Sequence, residues 1–278
     1  MGIVFALAAS AAWGSADFMG GIKSRTYSAI AVLFTIEMSG LVLALVVLAV
    51  VQDPFPSTRA TLCAIGAGAA GIIALAAFYR ALAIGTMSIV APISATGVAL
   101  PVIVGIATGD RPSPVVVSGL VITTLGVILA SREVHEDVDQ AAVARMSVVL
   151  ALLAAIGFGT YFIGADVAAD DSVIWTILLG RLVAIPLIGG ALLVRGATLP
   201  RGGDLVVLCI AGCGDLIATG LYGLANTHGA LSIVSVVGSL YPIATILLAR
   251  AVLHERVRRV QAASVFAALT GVALIAVG

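Results

Sequence analysis

The feature that most constrains this chain is a series of ten long apolar segments that together take up most of its 278 residues. Each segment is continuous in hydrophobicity and is close to the roughly 20 residues that an α-helix needs to cross a bilayer core. Membrane strands are about half as long and alternate polar with apolar residues, so strands are excluded. The segments are 2–20, 29–51, 60–80, 86–107, 113–131, 146–166, 173–194, 204–225, 230–250 and 259–277.

Composition supports an integral membrane protein. Only 10% of the residues are charged and the mean hydropathy is +1.21, whereas a soluble domain carries about 25% charged residues. The formal net charge is zero, which excludes a large basic surface for nucleic acid. Cys63, Cys209 and Cys213 lie inside apolar segments without a ligand set, so we predict no metal and no cofactor. No cleavable signal peptide is recognisable, and we expect a multi-pass protein of the inner or plasma membrane.

The two halves of the chain repeat each other at a spacing of 144 or 145 residues. Three pairs of segments match in the same order: 13–15 with 158–160, 78–90 with 222–234, and 110–131 with 255–276. One match could be chance in so apolar a chain, but three in order are not. The sequence therefore predicts two five-helix repeats, at 1–131 and 146–278, joined by a polar loop at 132–145.

An odd number of helices in each half places the second half in the membrane upside down relative to the first. Inverted repeats of this kind are typical of secondary transporters, which alternate access around a site near the bilayer midplane. We therefore predict an all-α, polytopic fold of ten transmembrane helices and a transport function. Catalytic motifs such as G-x-S-x-G, H-E-x-x-H and a Walker loop are absent from the sequence, so an enzyme is not expected.

Four sequence features together resemble one family. They are Trp13-Gly14-Ser15 in the first helix, FYRAL (78–82) at the end of the third, and an acidic-Arg pair opening each fifth helix, Asp110-Arg111 and Glu255-Arg256. The chain resembles the EamA-type branch of the drug/metabolite transporter superfamily over essentially its whole length. The resemblance implies a ten-helix bundle that moves metabolites through a cavity lined mainly by helices 1, 3, 4, 6, 8 and 9. Glu37 departs from the family pattern, which often has Arg there.

Charged groups inside apolar helices are candidates for function because inserting them into a bilayer is costly. Glu37 and Arg181 occupy equivalent positions in the two repeats and either pair with each other or face a polar cavity separately; Arg181 is also suited to hold a substrate carboxylate or phosphate. Asp215 has no evident opposite charge, so it is either a proton-coupling group or a neutral packing residue. Asp17 is expected near the interface, orienting the 21–28 loop.

Aromatic, amide and proline residues complete the candidate set. The cavity-lining candidates are Trp13, Tyr79, Arg181, Asp215, Tyr222, Asn226 and Tyr241; the coupling candidates are Asp215 and Glu37; and Pro242 is the candidate hinge inside helix 9. The small-residue runs at 66–71 and 211–214 are expected to allow close helix packing.

The predicted function is export of an amino acid or related small organic solute by alternating access, coupled to protons. The expected partners are the solute and the lipid bilayer, and a homo-oligomer is compatible with the sequence. The alternative is a flippase for a lipid or lipid-linked carrier on the same fold.

Orientation is left open between two arguments. Of the 14 Lys and Arg residues, all but Arg181 lie outside helix interiors, and eleven of those thirteen fall on the side of the odd-numbered connections. The positive-inside rule then places both termini outside, whereas the family resemblance implies that both lie inside.

Overall fold

The computed structural model describes residues 1–100, 104, 113–131, 138–228, 240–254 and 259–277. Within these ranges the chain forms ten α-helices and no strand. They are α1 (Gly2–Lys23), α2 (Ala29–Val51), α3 (Thr58–Ile84), α4 (Met87–Ala95), α5 (Pro114–Ser131), α6 (Val138–Ala169), α7 (Val173–Arg195), α8 (Gly203–His228), α9 (Tyr241–Val252) and α10 (Arg259–Val277). A 3-10 turn at Thr96–Val98 continues α4.

The surface of the bundle is apolar and its interior carries charges. Ile73 and Phe266 are 68% and 73% exposed, whereas Glu37 and Arg181 are buried. This arrangement is the reverse of that in a water-soluble protein and is expected where lipid is the solvent. Six helices, α1–α3 and α6–α8, have the length and composition needed to cross a membrane. Three of the other four, α5, α9 and α10, contain shorter apolar helical stretches, of 10–17 described residues.

Serine caps mark where four of the described helices begin. Ser28 accepts a hydrogen bond from the Ala31 amide at the start of α2, and Ser172 does the same from the Trp175 amide at the start of α7. These caps satisfy backbone donors that have no partner inside the helix. Ser28 and Ser172 are 144 residues apart, so both repeats begin their second helix with the same device.

Contacts between the two halves occur in equivalent pairs. Helix α3 packs along α6, and its repeat equivalent α8 packs along α1; α4 lies on α6 as α9 lies on α1. Helix α2 packs on its own equivalent α7, and α5 on α10. This is the pattern that a pseudo-twofold axis between the halves produces. The predicted all-α fold with two five-helix repeats is confirmed.

Glycines in the Trp-Gly-Ser motif and its counterpart allow two equivalent helix crossings. A methyl group at Gly14 would overlap the Tyr241 carbonyl of α9, and one at Gly159 would overlap the Gly97 carbonyl after α4. Thr245 reinforces the first crossing by donating a hydrogen bond to the Gly14 carbonyl at 3.0 Å. The motif is therefore explained by close backbone approach.

The small-residue runs act in the same way, as predicted. A methyl group at Gly68 would overlap the backbone of Gly180, where α3 meets α7. Its counterpart Gly212 lies against the Ile36 carbonyl, where α8 meets α2. These two crossings bring α2, α3, α7 and α8 close together around the pseudo-twofold axis.

The helix boundaries correct one sequence prediction and bear on the position of a second. Helix α6 begins at Val138, so residues 138–145 of the predicted polar loop are helical, and residues 132–137 lie outside the described ranges. Pro242 is the second residue of α9, which begins at Tyr241 after Leu240. Proline is tolerated in the first turn of a helix because no intrahelical bond to its nitrogen is lost. Residues 229–239, the first part of the predicted helix 9, lie outside the described ranges, so the hinge at Pro242 stays a prediction.

Candidate functional site

A buried arginine joins two carboxylates at the centre of the crossing between α2, α7 and α8. Arg181 Nη1 donates to Glu37 Oε2 at 2.8 Å, and Nη2 donates to Asp215 Oδ2 at 2.7 Å. The side chains of Arg181 and Glu37 are only 7% and 8% exposed, whereas that of Asp215 is 37% exposed. Charge-assisted hydrogen bonds of this length are strong. We call these three residues the charge cluster.

Glycine on α2 makes room for the guanidinium. Gly40 lies one turn after Glu37, and a methyl group there would come within 2.7 Å of Arg181 Nη2. In the other half, the repeat equivalent of Asp215 is Gly71. The ring of Tyr161 lies against Gly71, 3.0 Å from where an added methyl carbon would be. The two halves therefore present different chemistry at equivalent positions: an acid in one and an aromatic ring in the other.

The structure decides between the alternatives left open for these charges. Glu37 and Arg181 do pair, which is the first of the two predicted arrangements. The expectation that Asp215 lacks an opposite charge is wrong, because Arg181 reaches it across the α7–α8 contact. The guanidinium has two Nη groups and serves one carboxylate with each.

Asp17 belongs to this region rather than to the loop after α1. It is half-buried in α1, and its carboxylate is within electrostatic range of Asp215. The Tyr79 hydroxyl is within range of Asp17, Asp215, Glu37 and Arg181. The prediction that Asp17 orients the 21–28 loop is therefore replaced by a position beside the charge cluster.

Aromatic side chains predicted for the cavity lie on the same side of α1. Trp13 and Tyr222 are half-buried, with ring centroids 5.4 Å apart. Tyr79 is 3% exposed and its ring lies against Gly20, one turn beyond Asp17. Trp13 and Gly20 are two helical turns apart, so these aromatic contacts lie along one face of α1. Their roles in binding stay predictions.

The two remaining cavity candidates are placed less fully. Tyr241 is half-buried at the start of α9, and its backbone carbonyl faces Gly14. Asn226 lies in the last turn of α8, but its side chain is outside the described part of the structure.

At one end of the bundle, the α1–α2 connection is tied to the start of α8. Lys23 forms an ion pair with Asp204, and the Tyr27 hydroxyl donates to the other oxygen of the same carboxylate at 2.9 Å. Asp204 as acceptor raises the pKa of the Tyr27 hydroxyl. We call these contacts the α8 latch.

At the opposite end, the α6–α7 connection is tied to the segment before α3. The Ser57 amide donates to Asp171 at 2.8 Å, the Ser172 hydroxyl donates to Asp53 at 2.7 Å, and the Trp175 indole donates to the Asp53 carbonyl at 3.0 Å. Hydrogen bonds from Ser57 hold the pKa of the Asp171 carboxyl below its ordinary value. We call these contacts the α3 latch.

The two latches are equivalent under the repeat. Tyr27 and Ser28 match Asp171 and Ser172 at a spacing of 144, and α8 matches α3. Sequence reasoning missed both latches, although the matched pair of capping serines was a signal that could have found them. It also missed Gly40 and Tyr161, whose importance depends on what packs against them.

Comparison with known proteins places the chain in a family. The model of the EamA-like transporter family matches residues 1–132 and 145–277. No curated protein matches the chain. One solved structure, described only as the crystal structure of a protein, is similar over 98% of this chain and 95% of its own, with a TM-score of 0.65 and 14% identity. That likeness shows a common fold alone. The chain therefore belongs to the EamA-like transporter family and is a multi-pass membrane protein of the drug/metabolite transporter type.

Proposed function

We propose that this protein is a secondary transporter of the inner or plasma membrane that moves a small organic solute, of the amino acid class, by alternating access. The observation that carries the proposal is the charge cluster, which lies where α2, α7 and α8 of the two inverted repeats meet. Charges in the interior of a membrane bundle are retained where an ion or substrate passes. Export is the expected direction, and the solute is the expected partner.

The two latches supply what alternating access requires at the two ends of the bundle. Each ties one repeat to the other, and the repeat places them on opposite sides of the membrane. A transporter that opens to one side at a time must break one set of contacts while keeping the other. The α8 latch and the α3 latch are equivalent in position and different in chemistry, which suits them to this alternation.

Asp215 is the proposed coupling group. Two carboxylates are bonded to Arg181. The side chain of Glu37 is buried, whereas that of Asp215 is 37% exposed. A proton arriving from a cavity therefore reaches Asp215 first. Protonation would remove its charge and free Arg181 Nη2 without disturbing the Glu37 pair.

Transport into proteoliposomes tests this proposal. A panel of amino acids and small organic solutes is measured with and without a pH gradient, and the gradient is expected to drive accumulation of at least one solute. Asp215→Asn should abolish that accumulation but keep equilibrium exchange, because the amide resembles the protonated acid. The control is Asp170→Asn, the same change at an exposed loop position. Accumulation that ignores the gradient in the wild type would contradict coupling.

A flippase remains the second candidate because of one feature of the surface. An apolar cavity of about 420 Å³ lies between α2, α7 and α8, and Leu43, Val47 and Ile177 line it. Such a cavity is suited to an acyl chain. Scrambling of a labelled phospholipid by the same liposomes, with no solute transported, would favour the flippase.

Orientation is tested separately in intact cells. We expect the odd-numbered connections, which carry most of the Lys and Arg residues, to be cytoplasmic. Arg201→Cys should then resist a membrane-impermeant thiol reagent, and labelling at this position would reverse the assignment.

A further inference from the structure

The guanidinium of Arg181 has one nitrogen, Nε, that donates to no described residue. Nη1 and Nη2 are bonded to Glu37 and Asp215, but Nε is buried and has no hydrogen-bond partner among the described residues. Buried N–H groups are normally paired, and an unpaired one is costly. The residue as a whole is 6% exposed, so the deficit is not explained by bulk solvent.

The unused donor belongs to a site for a planar anion. In a guanidinium group, Nε–H and one hydrogen of Nη2 point in the same direction along one edge, and this edge matches the two oxygens of a carboxylate. In the present structure Asp215 takes Nη2 with a single oxygen, and the neighbouring Nε–H is left over. A carboxylate on this edge would satisfy both donors.

The net charge of the cluster determines when a carboxylate can bind to this edge of Arg181. The charge cluster carries one guanidinium and two carboxylates, a net charge of −1 when all are ionised. Adding a third carboxylate would bring three anions around one cation in a desolvated site, which is strongly unfavourable. If Asp215 takes up a proton as the ligand binds, the net charge stays at −1 in both states. A phosphate monoester carries about −1.5 to −2 at neutral pH and would not preserve this balance.

We propose that the transported solute carries a carboxylate, which binds the Nε and Nη2 edge of Arg181 while a proton binds Asp215. This inference rests on the proposed function and names the chemical class of its substrate. The groups that face Asp215 are Asp17 on α1, Glu37 on α2, Tyr79 on α3, Tyr161 on α6 and Arg181 on α7. The first two add negative potential in both states, and Arg181 is the only cation among these five.

Binding to the purified full-length protein in detergent tests the inference without requiring transport. The probes are small monocarboxylates (acetate, benzoate and free amino acids), each compared with its amide, together with phenyl phosphate and benzylamine. At least one carboxylate should bind, with its amide at least about tenfold weaker, because a hydrogen bond to a charged group is lost. Its affinity should fall as the pH rises, by up to about tenfold per pH unit, because one proton is taken up with each carboxylate that binds.

Two variants sharpen the test. Arg181→Lys keeps the positive charge but lacks the two-donor edge, so carboxylate binding should be lost. Asp215→Asn keeps the edge free of a competing anion, so binding should persist and become independent of pH. The second variant keeps the proposal testable if the first does not fold, which helical circular dichroism would reveal.

Any of three results would overturn the inference. The first is that no carboxylate binds, and the second is that an amide, the phosphate or the amine binds as tightly as the carboxylate. The third is that the pH slope is unchanged in Asp215→Asn. Failure of the proposed function looks different. A protein that binds carboxylates with the expected pH dependence but never accumulates them across a membrane contradicts only the transport proposal. One that accumulates amines or neutral solutes is still a transporter, but it contradicts this inference and the amino acid class of the solute.

Discussion

Removing Arg181 is predicted to destabilise the protein more than removing either carboxylate. Arg181→Gln leaves Glu37 and Asp215 without a cation, whereas Glu37→Gln leaves Arg181 still bonded to Asp215 at 2.7 Å. Breaking a buried pair by removing one partner costs about 3–5 kcal/mol. We expect that cost for Arg181→Gln, about 1.5–3 kcal/mol for Glu37→Gln, which weakens a hydrogen bond to a charged group, and about 1 kcal/mol or less for the partly exposed Asp215→Asn.

The assay is unfolding of the purified protein in mixed micelles with increasing SDS, followed by helical circular dichroism. The matched control is Arg195→Gln, the same change at an exposed position at the end of the same helix. The free energy of unfolding of this control should lie within about 0.5 kcal/mol of the wild-type value. Equal losses for Glu37→Gln and Arg181→Gln would refute the bridging arrangement.

Combined substitutions distinguish an arginine that is shared by two carboxylates from an isolated Glu37–Arg181 pair. Exchanging the charges of Glu37 and Arg181 would rescue an isolated pair, but here it would place a carboxylate at position 181 beside Asp215. We therefore expect the exchange to fail and to recover when Asp215→Asn is added. Neutralising all three residues should also be less damaging than Arg181→Gln alone, because replacing a whole buried ion cluster is often close to neutral. Full rescue by the two-residue exchange would contradict the cluster.

Three further predictions concern the crossings and latches. Gly212→Ala should destabilise by about 1–3 kcal/mol because the added methyl meets backbone, whereas Gly190→Ala, which meets nothing within 4 Å, should not; the SDS titration compares them. Asp204→Asn should increase thiol labelling of single cysteines at the α8 latch end, and unchanged labelling would argue against a gate. The Asp171 pKa is lowered by Ser57, so the stability difference between wild type and Asp171→Asn should be constant near neutral pH. It should decline only below about pH 3.9, as the folded-state carboxyl is protonated; a decline already at pH 6 would contradict the latch.

Much of the architecture was predictable because its causes are local or periodic. The length of the apolar segments, compared with the thickness of a bilayer core, predicted the helices. The spacing of 144–145 residues predicted the two repeats and the odd number of helices in each. The same spacing offered the Glu37–Arg181 pair as one of two arrangements; the structure shows the pair because α2 and α7 are each other's equivalents and meet across the pseudo-twofold axis. The small-residue runs likewise marked the crossings at Gly68 and Gly212 correctly.

The rest was decided by tertiary structure. Asp215 has Gly71 at its equivalent position, so the repeat offered no partner for it, and only the rotation of α8 against α7 brings it to Arg181. The sharing of one guanidinium between two carboxylates, the unused Nε–H and the room provided by Gly40 all depend on side chains from helices far apart in the chain. Sequence determines which residues lie on each helix because helical geometry is a local property. Which faces meet depends on how whole helices pack, and that is a property of the folded bundle.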